Sequence, residues 1–298
     1  MKVNRIMIVA LLLLMPSLTG ATEIMLSPEL KARAAVIRSD REGLWEKTLV
    51  VRFLERRRVL STNDGMTDAM AVANHAAHPH LWSRIDETMK TDHEVGGIRY
   101  MRMIRERTAR QAGLRSEDIS LMGTAADMDN MAVVTKTFGP FVVTALVTAG
   151  ARGNAVRTGV DEGTYTEPEP FAETPVPAKE PEPGTINIML LCNARITDGG
   201  LARAIITATE AKTAALEDLK VPSTYTKNVQ ATGTGTDSMI VVSGTSGPLV
   251  TYPGGHSRIG ELMGKAVYEA VVEALGKQNG FKLPGIALQV VGERLGGR

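Results

Sequence analysis

Cysteine is all but missing from the 298-residue chain, with Cys192 standing alone. One thiol excludes an internal disulfide framework and any cysteine-based zinc site. It closes the apolar run Ile188-Met189-Leu190-Leu191-Cys192, so a buried structural thiol is expected. Aromatic residues make up only 4% of the chain, too few for a platform of stacking rings. Plentiful Gly, Ala, Val and Thr favour tight strand–helix packing instead. Net charge is also lacking, since 34 Lys plus Arg face 33 Asp plus Glu. A nucleic-acid partner requires a strongly basic face to neutralise phosphates, and none is expected here.

A long apolar run is missing as well. The N-terminal one covers residues 6–15 and is broken by Pro16, short of the roughly 20 apolar residues of a comfortable membrane span. Lys2 and Arg5 precede it, and the small residues Thr19-Gly20-Ala21 follow. That order reads as a signal peptide over residues 1–21, with an uncleaved anchor as the alternative. No cysteine follows, which excludes a lipoprotein anchor. Either reading puts the folded part outside the cytoplasm, secreted or in the cell envelope.

Residues 157–184 form a linker in which Pro, Glu and Ala alternate with little to bury. It separates a first half, residues 22–156, from a second, residues 185–298. Stretches of the halves match in order. Asp129-Asn130-Met131-Ala132-Val133-Val134 aligns with Asp237-Ser238-Met239-Ile240-Val241-Val242. Gly139-Pro140 aligns with Gly247-Pro248, and Gly65-Met66-Thr67-Asp68-Ala69-Met70 with Gly200-Leu201-Ala202-Arg203-Ala204-Ile205. An internal duplication follows from these matches. Each unit opens with β-rich residues, 48–53 and 58–61 or 185–194. A turn at Asn63-Asp64 or Thr197-Asp198 then caps a helix, the second covering 201–219. Strands are expected at 131–135, 141–148, 239–243 and 249–252, helices at 98–112 and 259–275, and a tail strand at 286–291. The fold class is α/β, with α+β as the alternative. Two related strand–helix–strand–strand halves form mixed β-sheets covered by helices.

Several separated motifs carry a family resemblance. They are Gly184-Thr185-Ile186-Asn187-Ile188, Leu201-Ala202-Arg203-Ala204 and Ala208-Thr209-Glu210-Ala211-Lys212. With them stand Ala231-Thr232-Gly233-Thr234-Gly235-Thr236-Asp237, Gly255-His256-Ser257-Arg258-Ile259-Gly260-Glu261-Leu262, and Thr148-Ala149-Gly150-Ala151-Arg152-Gly153-Asn154-Ala155. Over about residues 45–275 the chain resembles the adenosylcobinamide amidohydrolases. The resemblance implies hydrolysis of adenosylcobinamide to adenosylcobyric acid and an aminopropanol, in corrinoid salvage for cobalamin synthesis. It implies a corrinoid small molecule as partner, one that carries its own cobalt, so no further cofactor is expected. The turn Ser61-Thr62-Asn63-Asp64-Gly65-Met66 is less glycine-rich than the family pattern. A different class of function is an exported, non-catalytic corrinoid binder that presents cobinamide to an uptake system.

Amide hydrolysis requires an activated nucleophile, donors for the developing oxyanion and an acid for the departing amine. His256, in a glycine-flanked turn before a helix, is the candidate for proton transfer, because histidine titrates near neutral pH. Asp237 and its counterpart Asp129 each precede an apolar strand, where a carboxylate orients a histidine, ligates a cation or caps the preceding turn. Gly233, Thr234, Gly235 and Thr236 leave backbone amides open to a ligand, and Asn154 offers its amide to a substrate carbonyl. The resemblance adds Glu210, one helical turn from Thr213. The catalytic set is thus His256, Asp237 and Glu210, and the substrate set is Asn154 with residues 233–236. Ser61, Ser238, Ser246 and Ser257 are possible nucleophiles, but no Gly-x-Ser-x-Gly elbow is present, and activated water stays open as the alternative. His75, His78, His80 and His93 show no metal-ligand spacing on a helix face, so no metal site is expected. The basic helix at 98–112 reads as a solvated amphipathic face.

Overall fold

Residues 7–8, 20–89, 96–163 and 184–284 are described by a computed structural model of the protein. His93, residues 164–183 of the linker, the tail strand 286–291 and most of the leader lie outside the described residues. Strands β1 (Ala21–Ile24), β2 (Ala32–Arg41), β3 (Leu44–Ser61) and β4 (Gly65–Ala77) follow one another as antiparallel neighbours. Helices α1 (Pro79–Met89) and α2 (Gly96–Ala112) then lead to β5 (Ile119–Thr124), which returns parallel to β4. The hairpin β6 (Ala132–Phe138) and β7 (Phe141–Ala151) is followed by the short β8 (Ala155–Val156). Next come β9 (Gly184–Cys192), β10 (Arg195–Ile196), α3 (Asp198–Asp218), β11 (Gly233–Thr234), β12 (Ser238–Val242), β13 (Leu249–Val250) and α4 (Arg258–Asn279).

Nine strands make one mixed sheet in the order β1-β2-β3-β12-β9-β7-β6, with β4 also on β3 and β5 on β4. The fold is therefore mixed α/β, as the alternation of elements predicts. The two halves do not build separate sheets, because β12 and β9 stand between β3 and β7. The sheet curls until its two walls face each other. Val36, Val51 and Val72 of one wall pack with Leu146, Met189 and Ile240 of the other. Outside the first wall, Tyr100 and Ile104 of α2 cover Val50, Ala71 and Ala73. Outside the second, α3 and α4 cover Val147, Ile188 and Val241 with Ala208, Leu216, Val267 and Val271. Alternation along each strand sends successive side chains to opposite layers.

The β-rich runs expected at 48–53 and 58–61 join into the single strand β3, with an irregularity between Arg52 and Arg57. Arg57 is buried there. Its guanidinium donates to the carbonyls of Leu30 (2.7 Å) and Ser243 (3.3 Å) and lies over the Phe53 ring.

The helix expected to open at Asn63-Asp64 is instead strand β4. Gly65 adopts a positive φ of 69° and pairs with Ser61, while the Ser61 hydroxyl accepts from the amides of Asn63 (3.2 Å) and Asp64 (3.3 Å). That geometry closes a hairpin. Asp64 is also unavailable as a helix cap, since it accepts from Ser120 Oγ (2.7 Å) and Leu121 N (3.2 Å) and pairs with Arg105 (2.5 Å). The matched stretches 65–70 and 200–205 are thus strand and helix respectively. At the other match, among the described residues β6 borders only β7, whereas β12 lies between β3 and β9. Thr197 does cap α3, its hydroxyl accepting from Gly200 N (3.1 Å).

His75 faces outward on β4 and is wholly buried beneath α2. Its Nδ1 bonds Thr48 Oγ1 and its Nε2 bonds the Tyr100 hydroxyl, each at 2.8 Å. Tyr100 also donates to Glu46 (2.5 Å), which accepts from Arg107 (2.8 Å). Burial lowers the His75 pKa to about 3, against the pull of Glu46. Burial raises the Glu46 pKa, but the Arg107 and Tyr100 bonds outweigh it and leave the carboxylate lowered. The unfolded chain takes up a proton near pH 6.5 that folded His75 refuses until about pH 3. Stability from this residue is therefore complete above pH 6.5 and falls by about 1.4 kcal/mol per pH unit below it. Denaturation of His75→Gln is expected to show a lower stability at pH 7 and a flatter slope between pH 6.5 and 4.5. An unchanged slope would place the acid sensitivity in other groups.

Candidate active site

The inner face of the curled sheet changes character toward one end. Thr148, Asn187 and Ser238 are register partners on β7, β9 and β12. They form a polar row beside the apolar row of Leu146, Met189 and Ile240. One residue pair further out, Thr185 bonds Thr236 through their hydroxyls, and Thr185 also donates to the Thr236 carbonyl (3.3 Å). From the opposite wall, Asn74 of β4 donates to Thr148 Oγ1 (2.9 Å) and accepts from Asn187 Nδ2 (2.9 Å). Asn187 Nδ2 donates again to the carbonyl of Gly123 (2.8 Å). Thr236 is exposed, Ser238 is half-buried and Asn187 is 0% exposed, so the row runs from surface to interior.

Loops close around this end. The β3–β4 turn meets β12, with Thr62 Oγ1 accepting from Met239 N (3.0 Å) and Asn63 Oδ1 accepting from Ser238 Oγ (3.4 Å). Asn154 donates to Thr236 Oγ1 (3.1 Å), and its carbonyl accepts from Gly235 N (3.1 Å). Gly184 leaves room for Asn154, because a Cβ there would strike its Oδ1. Residues 157–163, the start of the expected linker, are pinned to the body. Asp161 accepts there from Arg157 N (2.6 Å), Ser223 Oγ (2.7 Å) and Thr226 Oγ1 (2.5 Å).

Asp237 organises the loop between β11 and β12. One carboxylate oxygen accepts from Ile186 N (3.3 Å), Thr234 N (3.1 Å) and Thr234 Oγ1 (2.5 Å), and the other pairs with Lys212 of α3. Lys212 is buried, and Gly233 makes space for the pair, since a Cβ there would meet both charged groups. These bonds make Asp237 the anchor of the loop.

Of the residues singled out in the sequence, Asn154, Gly233, Thr234, Gly235, Thr236 and Asp237 come together. His256 and Glu210 do not join them. Glu210 is exposed on α3, two residues from buried Lys212 and so on the opposite helix face. His256 is exposed in the turn before α4. Its neighbour Arg258 stacks on Phe138 at the tip of the β6–β7 hairpin, beyond the Cys192 end of β9. Asp237 is bound at the Ile186 end of that strand. Asp129 pairs with Lys47 and Arg38 and fastens a 3-10 turn to β2 and β3. Ser257 is the N-cap of α4, Ser61 shapes the β3–β4 turn, and Ser246 is exposed in a loop. Cys192 is buried, as expected, and burial pushes its thiol up to about 12. Sequence reasoning missed Lys212, Asn74, Thr148, Thr185 and Asn187. Alternation of Thr185 and Asn187 with Ile186 and Ile188 was the available signal, a polar face at one end of an otherwise apolar strand.

Removal of the Asp237 carboxylate strands the Lys212 ammonium. Asp237→Ala is expected to cost about 2 kcal/mol in chemical denaturation, less than a fully enclosed pair because Asp237 is partly exposed. Combining it with Lys212→Met should recover part of the loss. Additive losses would show that the two charges are energetically independent.

Comparison with known proteins places the chain. The family profile described as adenosylcobinamide amidohydrolase matches residues 29–282. An uncharacterized protein of Methanocaldococcus jannaschii is 41% identical over 241 residues, 80% of this chain and 89% of that protein. A Methanosarcina mazei protein named adenosylcobinamide amidohydrolase is 37% identical over 101 residues, 31% of this chain and 46% of its own length. A crystal structure of a Pyrococcus horikoshii protein aligns with 93% of this chain and 91% of its own, at 11% identity and a TM-score of 0.37. That likeness is too slight to argue from. The profile match runs from the turn before β2 to beyond the end of α4, and the chain belongs to the adenosylcobinamide amidohydrolase family.

Proposed function

We propose that this protein hydrolyses the secondary amide joining the aminopropanol to the corrinoid of adenosylcobinamide, releasing adenosylcobyric acid. The observation that carries the reading is convergence. Four of the motifs that resemble the family, within residues 148–155, 184–188, 208–212 and 231–237, meet at one end of the sheet. The β3–β4 turn joins them there. In the reaction a water oxygen bonds the amide carbonyl carbon, the carbon–nitrogen bond breaks, and a proton passes to the departing amine. Hydroxyl and amide groups of Thr236, Ser238 and Asn154 line the accessible part of the site and supply donors for the carbonyl oxygen as it gains charge. Asp237 and Lys212 hold the loop that presents Thr236.

Export is part of the proposal, on the basic, apolar and small-residue order of residues 1–21. Removal of the leader after Ala21 would leave Thr22 in β1, where its hydroxyl accepts from Arg38 (2.7 Å).

Incubation of the purified protein with adenosylcobinamide, followed by chromatography, tests the activity. Adenosylcobyric acid and free aminopropanol are the expected products. Tight binding with unchanged ligand would make the protein a corrinoid carrier. Thr236→Val is expected to lower kcat at least tenfold, on the order found when one oxyanion donor is weakened. His256→Ala is expected to stay within about threefold of the parent, because loss of a true general acid/base costs about a hundredfold or more. A collapse of turnover in His256→Ala with normal turnover in Thr236→Val would move the chemistry to the opposite end of the sheet.

A further inference from the structure

A row of register partners across the first wall ends where the leader joins the fold. His75 pairs with Thr48, Thr48 with Ile37, and Ile37 with Ala21. Directly opposed residues share one face of a sheet, here the face that α1 and α2 cover. Ala21 packs into the same apolar layer as Tyr100 and Ile104 of α2, and His75 bonds the Tyr100 hydroxyl. Three strand spacings separate β1 from β4, about 14 Å. The leader therefore enters the fold close beside α2.

The outward arc of α2 carries an excess of positive charge. Tyr100, Ile104 and Thr108 are buried against the sheet, while Arg105 and Arg107 pair with Asp64 and Glu46. On the opposite arc Arg99, Arg102, Glu106 and Arg110 are exposed, three cations to one anion. Helical spacing sets Ile98 and Met103 at the two margins of that arc, and they are 59% and 38% exposed.

The apolar run at 6–15 reaches about half of a membrane span, and no helix among the described residues is long and apolar enough to cross a membrane. Stable attachment at a lipid surface takes two signals, such as an apolar insertion and a basic patch. This chain carries both, side by side.

We infer that the chain that retains its leader seats on an anionic lipid surface through the outward arc of α2, with residues 6–15 inserted in the same leaflet. Arg99, Arg102 and Arg110 meet the headgroups, and Ile98 and Met103 dip between them. The inference rests on the leader entering a membrane and is independent of the amidohydrolase reading.

The test uses the full-length protein with a fluorescent label at Met103→Cys, and a control labelled at Ile206→Cys on the exposed surface of α3. Cys192 is buried with its thiol pushed up to about 12, so the introduced cysteine takes the label. Vesicles of equal parts phosphatidylglycerol and phosphatidylcholine, with bromine on the acyl chains, should quench the label at 103 and spare the one at 206. About 1 M salt, with a screening length of about 3 Å, should restore the fluorescence at 103. Each arginine at such a surface contributes about fivefold to the docked fraction. Arg99→Gln combined with Arg110→Gln should therefore lower the ratio of docked to undocked helix at least tenfold. Vesicle-bound protein with no quenching at 103 would show that the leader alone holds it, and would overturn the inference. Equal quenching by vesicles of phosphatidylcholine alone, or no binding to either vesicle, would overturn it as well. None of these outcomes alters the products formed from adenosylcobinamide, so the two readings fail separately.

Discussion

Strand β3 has three neighbours where an ordinary strand has two. Over its 18 residues it pairs with β4 on one edge, and with β2 and then β12 on the other. A flat strand cannot serve both, because β2 and β12 belong to opposite walls of the sandwich. The irregularity between Arg52 and Arg57 supplies the bend, and bulges of this kind increase local twist. Arg57 binds Leu30 ahead of β2 and Ser243 at the end of β12, so one buried cation bridges the two neighbours at the place where β3 passes between them. The facing walls, the enclosed core and the polar end of that core all follow from this bend.

Much of the layout was legible because it rests on local chemistry. Helices α2, α3 and α4 carry apolar residues at helical spacing and fall close to their expected ranges, as do β6, β7, β9 and β12. Elements whose identity depends on distant partners were harder to read. Residues 65–77 carry small apolar side chains that suit helix or strand, and tertiary pairing with β3 and β5 decides for strand. The same limitation affects the apparent duplication. Similar short strings mark the entry to a strand in both halves, yet the strands occupy different positions in one shared sheet.

The glycine-rich loop and Asn154 were legible as one end of the candidate site because both fall in motifs whose glycines leave backbone amides open. Lys212 was hidden in an Ala-rich helix, where a lysine reads as solvated until its carboxylate partner is located. The inner row was hidden for a related reason. Asn74, Thr148 and Asn187 come from three strands, and only the closing of the sheet brings them within hydrogen-bond distance. His256 stood out through its turn and its motif, and the same turn carries Ser257, the N-cap of α4.

Strand β9 carries two alternating sets of side chains. Ile186, Ile188 and Leu190 pack beneath the helices, while Thr185 and Asn187 face the polar end of the interior. A slip of one residue against β7 and β12 would bury an asparagine under α4 and put an isoleucine where Asn74 awaits an amide. Such a slip would carry two penalties at once, one in the apolar layer and one in the polar row. Natural drift in this protein is therefore confined to exchanges that keep the parity of β9, and a single inserted or deleted residue within the strand cannot be absorbed as it could in a surface loop.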